Sequence, residues 1–258
     1  MNRMLIILAG GLFVACPKTE TGNSMATQAL NVSTETLVNK SPIDHRSYEA
    51  IVLENGLKVL IISDPETDMA AASLDVHIGQ FSDPWDRQGL AHFLEHMLFM
   101  GTEKYPEVDD YRKFIQGHGG RSNAGTSQEH TRYYFSIDQE HLDPALDRFA
   151  QFFISPKLDP AYVQRERKAV NSEYSLKIKE DARRSREIRR KTANPEHPFS
   201  KFSVGNLETL ADRENAPVWD DLRRFYDSEY SASRMSLAVI GREELPALRT
   251  MVESKFSQ

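Results

Sequence analysis

Five consecutive residues, His92-Phe93-Leu94-Glu95-His96, carry groups able to do chemistry at one point. On a helix, residues four apart stand on one face, one turn apart, so both imidazoles can reach a single cation. Glu95 lies three residues after His92 and next to His96, close enough to hold a water beside that cation. Two ring nitrogens, one more carboxylate and a position left for water suit zinc. Zinc lowers the pKa of a coordinated water from about 16 to about 7, and a neighbouring glutamate can take the proton released. The hydroxide so formed would attack a carbonyl carbon. The plainer reading is a pair of packed core histidines. Against it, two imidazoles and a carboxylate on one buried stretch would each need a partner, and a shared metal satisfies them together.

The single cysteine, Cys16, excludes a zinc site built on thiolates, so any further ligand must be His, Asp or Glu. A long helical stretch downstream offers Glu166, Glu173, Glu180 and Glu187, spaced by sevens and hence on nearly one face. Periodicity does not choose among the four, and paired with the arginines around them they read equally as a solvated face. His77, His118, His130, His141 and His197 have no partner at ligand spacing and read as surface or packing histidines. Arg183, Arg184, Arg186, Arg189, Arg190 and Lys191 read as a solvated helix face balanced by Glu180, Asp181 and Glu187, or as the lining of a chamber that attracts acidic peptides.

The elements that must position these groups follow from patterning. Tyr48 to Glu54, Leu57 to Ile62 and Ala71 to Ile78 read as strands, the first two joined by the Asn55-Gly56 turn. A helix is expected from about Arg87 to Met100, with Leu90, Phe93, Leu94, Met97 and Leu98 at three- and four-residue intervals. A second runs from Glu107 to about Gln116 and stops at a glycine cluster. Two strands, Ser122 to Thr126 and Thr131 to Asp138, come next. Helices are expected over Glu140 to Ile154, as one long rod over Asp159 to Lys191, and over Pro217 to Tyr226. A strand over Met235 to Ile240 and a last helix from about Glu243 complete the pattern. This is segregated α+β, a mainly antiparallel sheet with helices packed on it, and not the alternating pattern of a nucleotide-binding fold. No phosphate-loop signature is present.

The 258 residues carry 32 Lys+Arg against 38 Asp+Glu, a net charge of −6. That balance argues against a nucleic-acid partner, which requires a basic face. Hydrophobic residues make up 40 % and charged residues 27 %, which excludes a disordered or low-complexity body. The start of the chain is different. Arg3 followed by the uncharged run Leu5 to Ala15 reads as a signal peptide over residues 1–15, too short to span a bilayer as a mature helix. Cys16 falls where that run ends, as in the lipobox of bacterial lipoproteins, with Phe13 in place of the usual leucine. The expectation is export to the periplasm, lipid attachment at Cys16, a polar tether over residues 16–45 and a folded domain over 46–258.

Several longer blocks extend the five-residue motif: Gly89 to Met97, Met100 to Pro106, Gly119 to Ala124, Ala145 to Ala150, Arg165 to Glu173, His197 to Phe202 and Gly205 to Leu210. In this order they resemble the pitrilysin/insulysin family of zinc metallopeptidases, whose His-x-x-Glu-His inverts the commoner zinc motif. The resemblance implies a domain of the mitochondrial-processing-peptidase-like type with one zinc ion per chain. It implies that His92, His96 and Glu173 hold the metal and that Glu95 is the general base. Glu166 would support a metal-bound histidine without touching the metal. It also implies a peptide or small-protein substrate laid as an added strand along Asn123, Ala124 and Gly125, with Asn123 holding it near the scissile bond. Gly125 stands where such proteins tend to carry a bulkier residue. The likeness covers about the first quarter of a full-length member. The expectation is therefore that further domains, or a complementary chain, complete the substrate site, and that these residues alone bind zinc with weak or no peptidase activity. The alternative is a non-catalytic binding or scaffold subunit.

Overall fold

The inner strands of this chain alternate buried and more exposed side chains, as a sheet covered on one face requires. The computed structural model describes residues 39–258. The expected signal peptide, Cys16 and the expected tether up to residue 38 lie outside the described residues. Six strands form one sheet: β1 (Ser47–Val52), β2 (Lys58–Ser63), β3 (Met69–Val76), β4 (Arg121–Thr126), β5 (Thr131–Asp138) and β6 (Met235–Gly241). Their order is β1-β2-β6-β3-β5-β4, and every pairing is antiparallel except β2 with β6. The architecture is α+β and mainly antiparallel. Its unexpected feature is β6, which comes late in the chain and sits in the middle of the sheet, between β2 and β3. Leu237 and Val239 of this strand are buried with Ile61, Leu74 and Tyr133 in one continuous core.

Among the described residues seven α-helices accompany the sheet: α1 (Leu90–Leu98), α2 (Asp110–Gly117), α3 (Leu142–Ile154), α4 (Val163–Lys177), α5 (Asp181–Thr192), α6 (Val218–Glu229) and α7 (Leu245–Phe256). None of the described helices is long and apolar enough to cross a membrane. The single rod expected over Asp159 to Lys191 is two helices. Glu180 has extended backbone, φ −69° and ψ 132°, and separates α4 from α5. The physical reason is loss of an apolar face. The buried residues of α4 end at Val170 and α5 buries none, so beyond that point no packing holds the two in line. Glu180 and Glu187 therefore do not continue the face that carries Glu166 and Glu173.

The helix bearing the motif covers its apolar positions but is shorter than the span expected from Arg87 to Met100, and it starts after Gly89, which has φ +92°. Asp83, 2 % exposed, satisfies that end: its carboxylate accepts the Gly89 and Ala91 N–H groups at 2.7 and 2.8 Å. Burial outweighs those two donors and pushes the Asp83 carboxyl up to about 7. Lys201 closes the loop below by donating to the Phe81 and Asp83 carbonyls. Just before the helix, the fully buried Arg87 pairs with Asp221 of α6 at 2.6 Å and donates to the Ala211 and Ala216 carbonyls. These contacts fix α1 from its N-terminal end. Replacing Asp83 by Ala leaves two N–H groups without acceptors, so we expect a loss of about 2–4 kcal/mol in urea unfolding.

Candidate metal centre

His92 and His96 stand one turn apart on α1, their ring planes nearly perpendicular and their centroids 4.9 Å apart. Each ring is held from behind at Nδ1. His92 Nδ1 lies 2.6 Å from the Val204 carbonyl, and His96 Nδ1 lies 3.3 Å from Glu166 Oε2. A neutral ring that donates at Nδ1 presents Nε2 as its free lone pair. Both Nε2 atoms converge on α4: His92 Nε2 is 3.5 Å from Glu173 Oε2, and His96 Nε2 is 3.5 Å from Glu173 Oε1. One ligand atom from each of the three residues lies within 4.8 Å of the others. Two imidazole nitrogens and a carboxylate oxygen at that spacing fit zinc by number and type of donor.

The fold explains why Glu173 and not its neighbours meets the rings. Packed on α1, α4 buries Glu166 in its first turns and brings Glu173 to the same side two turns later, with its side chain 45 % exposed. Glu166 is supported in turn by Arg165, whose Nε lies 2.8 Å from Oε1. Burial pushes the Glu166 carboxyl up, but its bonds to His96 and Arg165 prevail and hold it below the usual range. Bonds to His92 and His96 hold the Glu173 carboxyl well below that range. Burial pulls the His96 ring down, yet the carboxylates of Glu166 and Glu173 outweigh it and raise the ring to about 9.

Glu95, next to His96 in the chain, reaches β4. It is 8 % exposed, and its Oε2 accepts a hydrogen bond from Thr126 Oγ1 at 2.6 Å. Thr126 ends β4, which is an edge of the sheet and, among the described residues, pairs only with β5. Asn123 and Gly125 are exposed on one face of β4, while Ala124 and Thr126 face inward. A Cβ added at Gly125 would meet no atom within 4 Å, so a side chain fits there.

Two contributors escaped the sequence pattern. The Val204 carbonyl reaches His92 because two backbones touch: a Cβ at Gly89 would lie 2.3 Å from the Gly205 Cα, and Gly205 itself has φ +83°. The glycine in the Gly205-Asn206-Leu207 block was the visible signal. Thr126 was visible only as part of an edge strand. The remaining histidines stay apart from the centre. His77 and His130 pack edge to face, with His130 bonded to Asp75, and His118 packs on His141. In the basic run, Arg190 is tied to Glu187 and the Ser200 carbonyl, and Arg186 to Gln80. Arg184 pairs with Asp181.

The family model described as insulinase (peptidase family M16) matches residues 58–196, which include His92, Glu95, His96, Thr126, Glu166 and Glu173 but not the loop at Val204 and Gly205. The chain belongs to the insulinase family. It is 48 % identical over 242 residues to the insulin-degrading enzyme of Mus musculus, covering 93 % of this chain and 24 % of that protein. The crystal structure of pitrilysin superposes with a TM-score of 0.84 at 40 % identity, over 86 % of this chain and 24 % of that one. A protease from Helicobacter pylori shares the fold with a TM-score of 0.74 at 23 % identity, over 82 % and 50 % of the two chains. The chain thus spans about a quarter of the length of the insulin-degrading enzyme and of pitrilysin.

The raised His96 pKa sets a pH dependence. Below about 9 the ring holds a proton that a cation must displace, whereas Glu173 stays ionised. Apparent zinc affinity, measured by competition with a chelator, is expected to fall about tenfold per pH unit as pH drops from 9 to 7 and to level off above 9.

Proposed function

We propose that this chain is the zinc-holding domain of a metalloendopeptidase that hydrolyses peptides or small proteins. His92, His96 and Glu173 hold the metal and Glu95 is the general base. One observation carries the reading: both Nε2 atoms and the Glu173 carboxylate meet at one point, with each ring locked at Nδ1. A zinc ion bound there supplies a Lewis acid that polarises a carbonyl and acidifies water. The chain's own residues do the rest. Glu95, buried beside His96, accepts a proton from water and returns it to the leaving amine. The free edge of β4 receives an extended peptide through main-chain hydrogen bonds, with Asn123 near the scissile bond. Glu166 keeps His96 from turning.

The length of the relatives supports a substrate site completed by further domains or by a companion chain. From its leader sequence, we also propose that the protein is exported to the periplasm and anchored by lipid at Cys16. A domain that binds zinc without turning over peptides is the second reading, favoured by the same difference in length.

Metal analysis and hydrolysis of a fluorogenic peptide test these together. One zinc per chain is expected in the wild type and in Glu95→Gln, with substoichiometric metal in His92→Ala and Glu173→Ala. Hydrolysis by the wild type should fall about 10²–10⁴-fold in Glu95→Gln. A wild type without stoichiometric zinc would overturn the metal centre. Full zinc with no turnover would select the second reading.

A further inference from the structure

We propose that Thr126 is a positioning residue that aims the Glu95 carboxylate and links its orientation to the seating of a peptide on β4. The inference rests on the reading of Glu95 as proton acceptor and adds a residue to that machinery. A glutamate on a helix has three rotatable bonds, and a base works only when its oxygen stays within hydrogen-bonding reach of the proton it takes. Among the described residues, Thr126 is the one side chain hydrogen-bonded to Glu95, at 2.6 Å. The direction of that bond is fixed. An ionised carboxylate can only accept, so the Thr126 hydroxyl must donate.

The surroundings keep the hydroxyl in that role. Thr131, fully buried and opposite Thr126 in the β4–β5 register, donates its own proton to the Ile78 carbonyl at 2.9 Å. Its Oγ1 lies 3.4 Å from Thr126 Oγ1, and with its own proton given to Ile78 it has none to donate to Thr126, whose proton goes to Glu95. Thr126 is β-branched and sits on a strand, where χ1 has few choices. Its neighbours Asn123 and Gly125 face the other way, toward solvent, along an edge whose outer main-chain groups have no strand partner among the described residues. A peptide added there converts β4 from an edge strand into an interior one. That stiffens the backbone carrying Thr126, and with it the oxygen held 2.6 Å away. Substrate seating and base alignment are then one event.

The test compares Thr126→Val, which keeps the shape and removes the donor, with Thr126→Ser, which keeps the donor. The zinc-loaded chain is titrated with acetohydroxamate, a probe that places an acidic O–H beside a base next to the metal. Binding is read by calorimetry, so no turnover is needed. Thr126→Val should retain one zinc per chain and lose about tenfold in hydroxamate affinity, while Thr126→Ser stays within about twofold of wild type. Wild-type affinity in Thr126→Val would overturn the proposal, as would a loss that serine does not restore or a loss of zinc in the valine variant. Glu95→Gln is the separate arm. If it binds the hydroxamate as tightly as wild type, or if the wild type binds none, the assignment of Glu95 as base fails, whatever the threonine variants do.

Discussion

Two imidazoles one turn apart share a cation only if neither ring is free to rotate. In this chain each ring is locked by its rear nitrogen, and the two locks come from different places. His92 rests on a main-chain carbonyl of the loop at Val204, and His96 rests on a buried carboxylate of α4. The arrangement makes ligand geometry a property of how three segments pack: α1, α4 and the loop through Gly205. A carbonyl cannot be supplied by choosing a side chain. It requires that the backbone come close, and the mutual approach of Gly89 and Gly205 is what allows it.

Charge is arranged around the same point. Glu95, Glu166 and Glu173 surround two rings, and Arg165 stands behind Glu166 and compensates one of the three carboxylates. The balance leaves a cluster that attracts a cation and holds a proton on His96 in its absence. Because α4 carries both Glu166 and Glu173, a single helix supplies the carboxylate that orients a ring and the one that faces the shared point. Placing them seven residues apart returns the chain to the same face after nearly two turns.

The sheet contributes through its edge. The strand that ends beside Glu95, β4, lies at an edge of the sheet and, among the described residues, pairs with β5 alone. Inward residues of β4 touch the motif helix and the core, while outward ones meet solvent. A peptide added to this edge would lie beside Thr126 and the Glu95 it holds.

How much of this was legible without coordinates depends on range. His92, Glu95 and His96 could be grouped because helical spacing is fixed over one turn. The strand positions followed from period-two patterning, and the Asn55-Gly56 turn from its residue types. Glu173 could not be separated by spacing from Glu166, Glu180 and Glu187, since all share one period; family resemblance singled it out, and packing brings it to the rings. The break at Glu180 was invisible because helical propensity continues through Lys177-Ile178-Lys179, and only the absence of a core face beyond Val170 ends the rod. The sequence by itself determined which groups could act within one turn of a helix, through local geometry that no tertiary contact alters. Only the tertiary structure decided which glutamate, which carbonyl and which hydroxyl meet them, because those distances are set by packing between segments dozens of residues apart.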